Sequence, residues 1–170
     1  MSCFRRPSRR SSGSRAVNPA AFTIADQVAA ADVQFLDEQI NAYNIARTGI
    51  DDARLLVSFV RDEQGAIAAG VFGWTWGGCC EIKYLWVAEA RRGQGLGSGL
   101  LAAAEQEAAA RGCQLIVLDT HSFQAPQFYQ QRGYEIVGEV AGYPRGYSKF
   151  YLKKILAERR GSRVLDSEPS

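Results

Sequence analysis

The chain contains no run of about 18 apolar residues, so no segment reads as a membrane-spanning helix. It has one histidine, His121, and its four cysteines (Cys3, Cys79, Cys80, Cys113) include no Cys-x-x-Cys pair. A structural zinc site needs about four Cys or His ligands at short spacings, so no metal is expected. Cys79 and Cys80 are adjacent, and disulfide geometry disfavours a bridge between them. Reduced thiols in a cytoplasmic protein are the expectation. No lysine lies between Lys83 and Lys149, which removes the Gly-Lys-Ser/Thr loop of nucleoside triphosphatases. The first twenty residues carry no acid but five arginines: Arg5, Arg6, Arg9, Arg10 and Arg15. Setting those five aside leaves 15 basic against 18 acidic residues, a net of −3. A mildly acidic body argues against nucleic acid as a partner and favours a cationic one.

What remains is a chain of 170 residues, 46% hydrophobic and 22% charged. That suits one globular domain with its own core. Three parts are expected: an Arg/Ser-rich disordered leader over 1–20, a folded domain over 21–156 and a flexible tail over 157–170. Within the domain, Ala21 to Ala25 reads as a short strand. Val28, Val33, Leu36, Ile40 and Tyr43 recur at helical intervals, closed by Gly49. Leu55–Arg61, Ala66–Trp76 and Cys79–Ala88 read as three antiparallel strands separated by turns. Gly95–Arg111 reads as a helix ending at Gly112, and Leu115–Asp119 as a buried strand. Pro126 opens a short helix that Gly133 closes, and Tyr134–Val140 and Lys149–Ile155 supply the last strands. The order β-α-βββ-α-β-α-ββ predicts a mixed α/β (α+β) fold. Its sheet has six to seven strands, is twisted and mostly antiparallel, and is flanked by helices.

Arg91 to Ser98 reads R-R-G-Q-G-L-G-S, after a strand and at the start of a helix. A helix start exposes unpaired N–H groups and a partial positive charge, which together attract anions. Glycines at 93, 95 and 97 let a phosphate approach the backbone, and Arg92 adds a charge-assisted bond. Gly97, Gly99 and Ala102 also match G-x-G-x-x-A, with Asp119 at about the distance of a ribose-binding acid. Yet nine residues separate Val87 from Gly97, and only one βαβ unit is present. A dinucleotide fold is therefore disfavoured.

The spacing Arg92-x-x-Gly95-x-Gly97 after Y-L-W-V resembles the coenzyme A signature of the GNAT superfamily of N-acetyltransferases. Ala125 to Tyr134, A-P-Q-F-Y-Q-Q-R-G-Y, is similar to the family's second signature. The resemblance covers about Ala21 to Leu156. It implies acetyl-coenzyme A as cosubstrate, with the backbone of Leu85 and Val87 pairing with the pantetheine arm. It also implies that N–H groups of Gly93, Gln94, Gly95, Leu96, Gly97 and Ser98 cradle the pyrophosphate. The asparagine that the family often places before the Tyr-bearing helix is missing; Thr120 to Gln124 stand there.

Moving acetyl from a thioester to an amine needs a proton acceptor for the ammonium and a donor for the departing thiolate, without a covalent enzyme intermediate. Tyr129 matches the family's acid position, and a phenol near pKa ~10 is close enough to a thiol (~8.5) to serve. Glu81, eleven residues before Arg92, matches the position of the family's glutamate base. Strand alternation places Glu81, Lys83, Leu85 and Val87 on one face, aiming Glu81 at the pantetheine cleft. An ion pair with Lys83 is the plainer explanation of Glu81. His121 as a base, Trp74, Trp76 and Trp86 as cleft walls, and Asp51, Asp52 and Tyr147 as cation contacts are weaker candidates.

In pattern, including T-G-I-D-D and W-T-W-G-G, the chain resembles bacterial antibiotic acetyltransferases, most of all kasugamycin-type aminoglycoside 2′-N-acetyltransferases. The expected partner is a small-molecule amine, with neither nucleic acid nor membrane involved; a homodimer is compatible. Acetylation of a peptide, protein or polyamine is the alternative within the same chemistry. A non-catalytic acyl-coenzyme A-binding module is the alternative outside it.

Overall fold

The protein is described from a computed structural model covering residues 24–156. The leader and tail expected over 1–20 and 157–170 lie outside the described residues, as does most of the strand expected at Ala21–Ala25. Ile24 and Ala25 are not in a strand. The chain divides into two units, Met1–Tyr43 and Asn44–Ser170. In the first lies most of helix α1, Ala30–Thr48, none of whose residues is buried. Its C-terminus forms because the Gly49 N–H reaches the Ile45 carbonyl at 2.7 Å with φ at 71°, a conformation that favours glycine.

The second unit is a six-stranded sheet over the described residues. Its strands are β1 (Arg54–Arg61), β2 (Ile67–Trp76), β3 (Cys79–Val87), β4 (Leu115–His121), β5 (Glu135–Ala141) and β6 (Ser148–Ile155), in the order β1-β2-β3-β4-β6-β5. Every neighbouring pair is antiparallel except β3 and β4. That one parallel pair needs a crossover, which helix α2 (Leu96–Ala110) provides; a short helix α3 (Pro126–Gln130) links β4 to β5.

One face of this sheet meets α2. Leu100, Leu101, Ala104 and Ala108 form the helix's buried stripe, and the alanines let it approach closely. Opposite them lie Leu56, Val71, Cys80, Ile82, Ile116, Leu118 and Leu152. Tyr129 and Tyr134 close the same core, so α3 joins the α2 side. Burial alternates along β4, with Ile116, Leu118 and Thr120 inward and Val117, Asp119 and His121 turned to the other face.

Candidate active site

The register of β3 contains a shift that periodicity alone does not reveal. Phe72 pairs with Tyr84, but the next residue, Gly73, pairs with Ile82, so Lys83 is an extra residue in a bulge. The slip reverses the alternation. Cys80 and Ile82 face the core before it, and Leu85 and Val87 pack against the core after it. Glu81 therefore faces away from α2 while Leu85 and Val87 face toward it. The expectation that Glu81, Lys83, Leu85 and Val87 share one face is corrected by this bulge.

The bulge also opens the sheet. β3 and β4 pair only between Cys79–Ile82 and Leu115–Leu118. Beyond that point the strands separate, leaving the inner edge of Lys83–Val87 without a strand partner. The gap continues into a cleft of about 950 Å³ that runs from Ile82 along β3 to the start of α2. An unpaired strand edge accepts an extended chain as a further strand.

At the cleft's far end the glycine-rich segment forms a tight loop. A single 3-10 turn, Glu89–Arg91, is followed by Gly93 at φ 73° and Gly95 at φ 81°. Both are left-handed conformations that other residues adopt only with strain. The first backbone bond of α2 is Gly99 N–H to the Gly95 carbonyl, at 2.9 Å. The N–H groups of Leu96, Gly97 and Ser98 are thus left without intrahelical partners, and all three residues line the cleft. The Arg92 Nε donates to the Val87 carbonyl at 3.2 Å, which ties the loop to the end of β3. The side chain of Gln94 lies outside the cleft lining and donates to the Ala90 carbonyl.

Arg132 is a cation that sequence reasoning missed. It lines the cleft, donates to Ser98 Oγ and, at 2.7 Å, to the Phe128 carbonyl, and stacks 3.7 Å from the Phe128 ring centroid. The signal was present in Q-Q-R-G-Y, but only the tertiary fold brings the end of α3 beside the start of α2.

Tyr129 and Tyr134 are both buried, yet their hydroxyls differ. Tyr134 donates to Glu105 Oε1 at 3.1 Å, and Lys154 clamps the other oxygen of that carboxylate at 2.7 Å. Among the hydrogen bonds of the described residues Tyr129's hydroxyl makes none, and the side chain lines the cleft. Burial, and secondarily the Asp119 carboxylate, push the Tyr129 phenol above its usual range, so it keeps its proton.

On the opposite face of the sheet stand the acids. Glu81 pairs with Val117 across the last paired stretch, one residue before the cleft lining begins. Asp119 lies in the cleft, held by Lys149 at 3.0 Å and approached by Lys83 at 4.0 Å. Lys83 therefore meets Asp119, which the sequence had offered only as a ribose ligand. Cys80 is fully buried and its thiol is pushed up to about 12, chiefly by burial, so it is no nucleophile. Cys79 and Cys113 are free thiols raised by the same cause.

Among the weaker candidates, Trp86 lines the cleft, and Trp74 and Trp76 do not. Asp52 accepts from the Gly77 N–H at 2.8 Å and so secures the β2–β3 turn.

An open, mostly antiparallel sheet parted at one parallel pair, with a glycine-rich helix start at the end of the gap, defines an acyl-transfer scaffold. Residues 23–134 match the family model of the acetyltransferase (GNAT) family, and the chain belongs to that family. It is 34% identical over 133 residues to the acetyltransferase Atu2258 of Agrobacterium fabrum, covering 78% of this chain and 97% of that one. It is 37% identical over 119 residues to the blasticidin-S acetyltransferase of Streptomyces morookaense, covering 66% and 85% respectively. A crystal structure of an acetyltransferase from Agrobacterium tumefaciens superposes with a TM-score of 0.73 at 33% identity, over 79% of this chain and 98% of that one. The protein is an N-acetyltransferase by family. Among the described residues no helix is long and apolar enough to cross a membrane.

Proposed function

We propose that the chain transfers acetyl from acetyl-coenzyme A to a primary amine of a small molecule, by direct attack within a ternary complex. The observation that carries this reading is the parting of β3 from β4 between the Tyr129 hydroxyl and the Glu81–Asp119 face. The free edge at Leu85 and Val87 suits the amides of a pantetheine arm. The unpaired N–H groups of Leu96, Gly97 and Ser98, with Gly93, Gln94, Gly95, Arg92 and Arg132 around them, suit a pyrophosphate. The thioester supplies an already activated acetyl carbon, so no enzyme nucleophile is required.

The residues then divide by face. Tyr129, protonated and without a protein partner, donates its proton to the sulfur as the carbon–sulfur bond breaks. Glu81, on the opposite face, takes the ammonium proton through water before nitrogen bonds to the acetyl carbon, and the second nitrogen proton, released as the amide forms, restores the Tyr129 phenol. Each proton movement of this kind contributes on the order of 10²–10⁴ in rate.

For the acceptor, similarity to a blasticidin-S acetyltransferase supports an antibiotic-type amine; a kasugamycin-like aminoglycoside is the finer form of that reading. The test is release of coenzyme A thiol on a panel of amines that includes both antibiotics, peptides and polyamines. Turnover of small amines and not peptides supports the proposal. Tight acetyl-coenzyme A binding with no thiol released on any amine would replace it with a binding module.

A further inference from the structure

Beside the cleft, on the face that carries Asp119, four rings come together from two segments distant in sequence. His121 ends β4 and Phe123 follows it, and Tyr143 and Tyr147 sit in the loop between β5 and β6. His121 and Phe123 lie nearly parallel, 17° apart with centroids at 5.2 Å. Tyr143 is 5.8 Å from His121, and Tyr147 meets Phe123 edge-on at 4.9 Å. Phe123, Tyr143 and Tyr147 remain 54%, 56% and 50% exposed. Phe123 also lines the cleft, so the cluster is continuous with the site.

The rings are held, not merely gathered. Gln124 Oε1 accepts from the His121 N–H at 2.8 Å and from Thr120 Oγ1 at 3.1 Å, fixing the corner after β4. The Ser122 N–H donates to the Ser148 carbonyl at 2.8 Å, and the Ser148 N–H donates back to Ser122 Oγ at 3.1 Å. Ser148 in turn donates to Glu139 at 2.6 Å. These bonds lash the two ring-bearing segments together, so little ordering remains when a ligand arrives.

Exposed aromatic surface of this kind recognises either a cation or another flat ring. The charges decide between them. Lys149 is the cross-strand partner of His121 and lies 5.2 Å from the Tyr151 ring centroid, with its ammonium already paired to Asp119. A ligand cation set against these rings would be repelled by that lysine and compete with it. We infer that His121, Phe123, Tyr143 and Tyr147 form a stacking wall for a flat, uncharged unsaturated ring carried by the amine substrate, such as a nucleobase-like heterocycle. The inference rests on the acetyltransferase reading above and narrows its substrate class. It departs from the polycationic acceptor that the acidic composition suggested, and within antibiotic-type amines it favours one with a flat ring over the kasugamycin-like aminoglycoside.

Two amines of matched length carry a flat aromatic ring in one and a puckered saturated ring in the other: 2-phenylethylamine and 2-cyclohexylethylamine. Thiol release is to be compared between them and with 5′-amino-5′-deoxyadenosine. Tyr143→Leu and Tyr147→Leu, which leave the cofactor cleft untouched, are run alongside. The expected result is a several-fold lower KM for the flat amines, about 3–10-fold from stacking. Both leucine variants lose that preference while their KM for acetyl-coenzyme A stays unchanged. Saturation-transfer NMR with 5′-amino-5′-deoxyadenosine reads the wall without turnover, and the signal is expected to weaken in the leucine variants. Equal KM values for the matched pair, or a preference that survives both substitutions, overturn the wall and leave the acetyltransferase standing. No thiol release on any amine, with the NMR signal intact and ring-dependent, overturns the acetyltransferase reading instead.

Discussion

Gly73 lies against the Glu81 carbonyl so closely that a Cβ on it would fall well inside 3.0 Å of that backbone oxygen. Backbone cannot swing aside as a flexible side chain can. Glycine at this position therefore permits the β2–β3 register slip, and through it the parting of β3 from β4. Gly73→Ala is expected to destabilise the fold by about 1–3 kcal/mol, the usual cost of overpacking a closed site. Thermal unfolding reads that loss, and calorimetry should show weaker acetyl-coenzyme A binding in whatever fraction remains folded.

Tyr129→Phe removes a hydroxyl that holds no protein partner, so stability should change by less than about 0.5 kcal/mol. Turnover should fall by about 10²-fold or more while the Kd for acetyl-coenzyme A is spared. An unchanged kcat takes Tyr129 out of the mechanism. Tyr134→Phe is the control: it strips a bond from Glu105 and should cost stability first, on the order of 1 kcal/mol.

Glu81→Gln keeps the size of the side chain and removes its charge. On the proposed roles it lowers kcat by about 10–10²-fold with acetyl-coenzyme A affinity intact. If Asp119→Asn gives that loss and Glu81→Gln does not, the proton acceptor is Asp119, the carboxylate that actually lines the cleft.

Arg132→Gln should weaken acetyl-coenzyme A by roughly 10-fold, the scale of one charge-assisted phosphate contact. Saturating cofactor should restore most of kcat, because Arg132 sits at the phosphate end of the cleft. A salt titration of the Kd separates a lost charge from a disturbed loop, since only the first flattens the salt dependence.

Stability should fall on the alkaline side. The Cys79, Cys80 and Cys113 thiols, the Tyr129 and Tyr134 phenols and Lys149 all have folded pKa values raised above their ordinary ones. A raised value means the native state holds its proton more tightly. The stability each contributes is full below its ordinary pKa and drains as pH climbs toward the folded value. Urea midpoints should be level with respect to these groups from pH 7 to about pH 8 and decline above it. A midpoint still rising beyond pH 10 would contradict the burial of the thiols and phenols and the Lys149–Asp119 pair.

Much of the fold was legible because it follows from local chemistry. Gly49, Gly112 and Gly133 end helices or turns at positive φ, as their positions suggested, and Pro126 opens α3. Six strands were read to within a residue or two of their ends. The glycine-rich loop was legible for a similar reason: glycine spacing, a preceding strand and a helix start are neighbours in sequence. Arg132 and Asp119 were not, because each acquires its meaning from a partner on another element, Ser98 for one and Lys149 for the other. The face assignment along β3 failed because a single inserted residue inverts a period of two.

By itself the sequence determined the order of the helices and of the six observed strands, and the glycine-rich helix start, all set by neighbours a few residues apart. The tertiary structure alone decided where the sheet opens, which faces Glu81 and Asp119 occupy, and that four rings from two loops meet beside the cleft. Those outcomes depend on strand register and on packing between distant segments, and a one-residue slip at Lys83 is enough to change them.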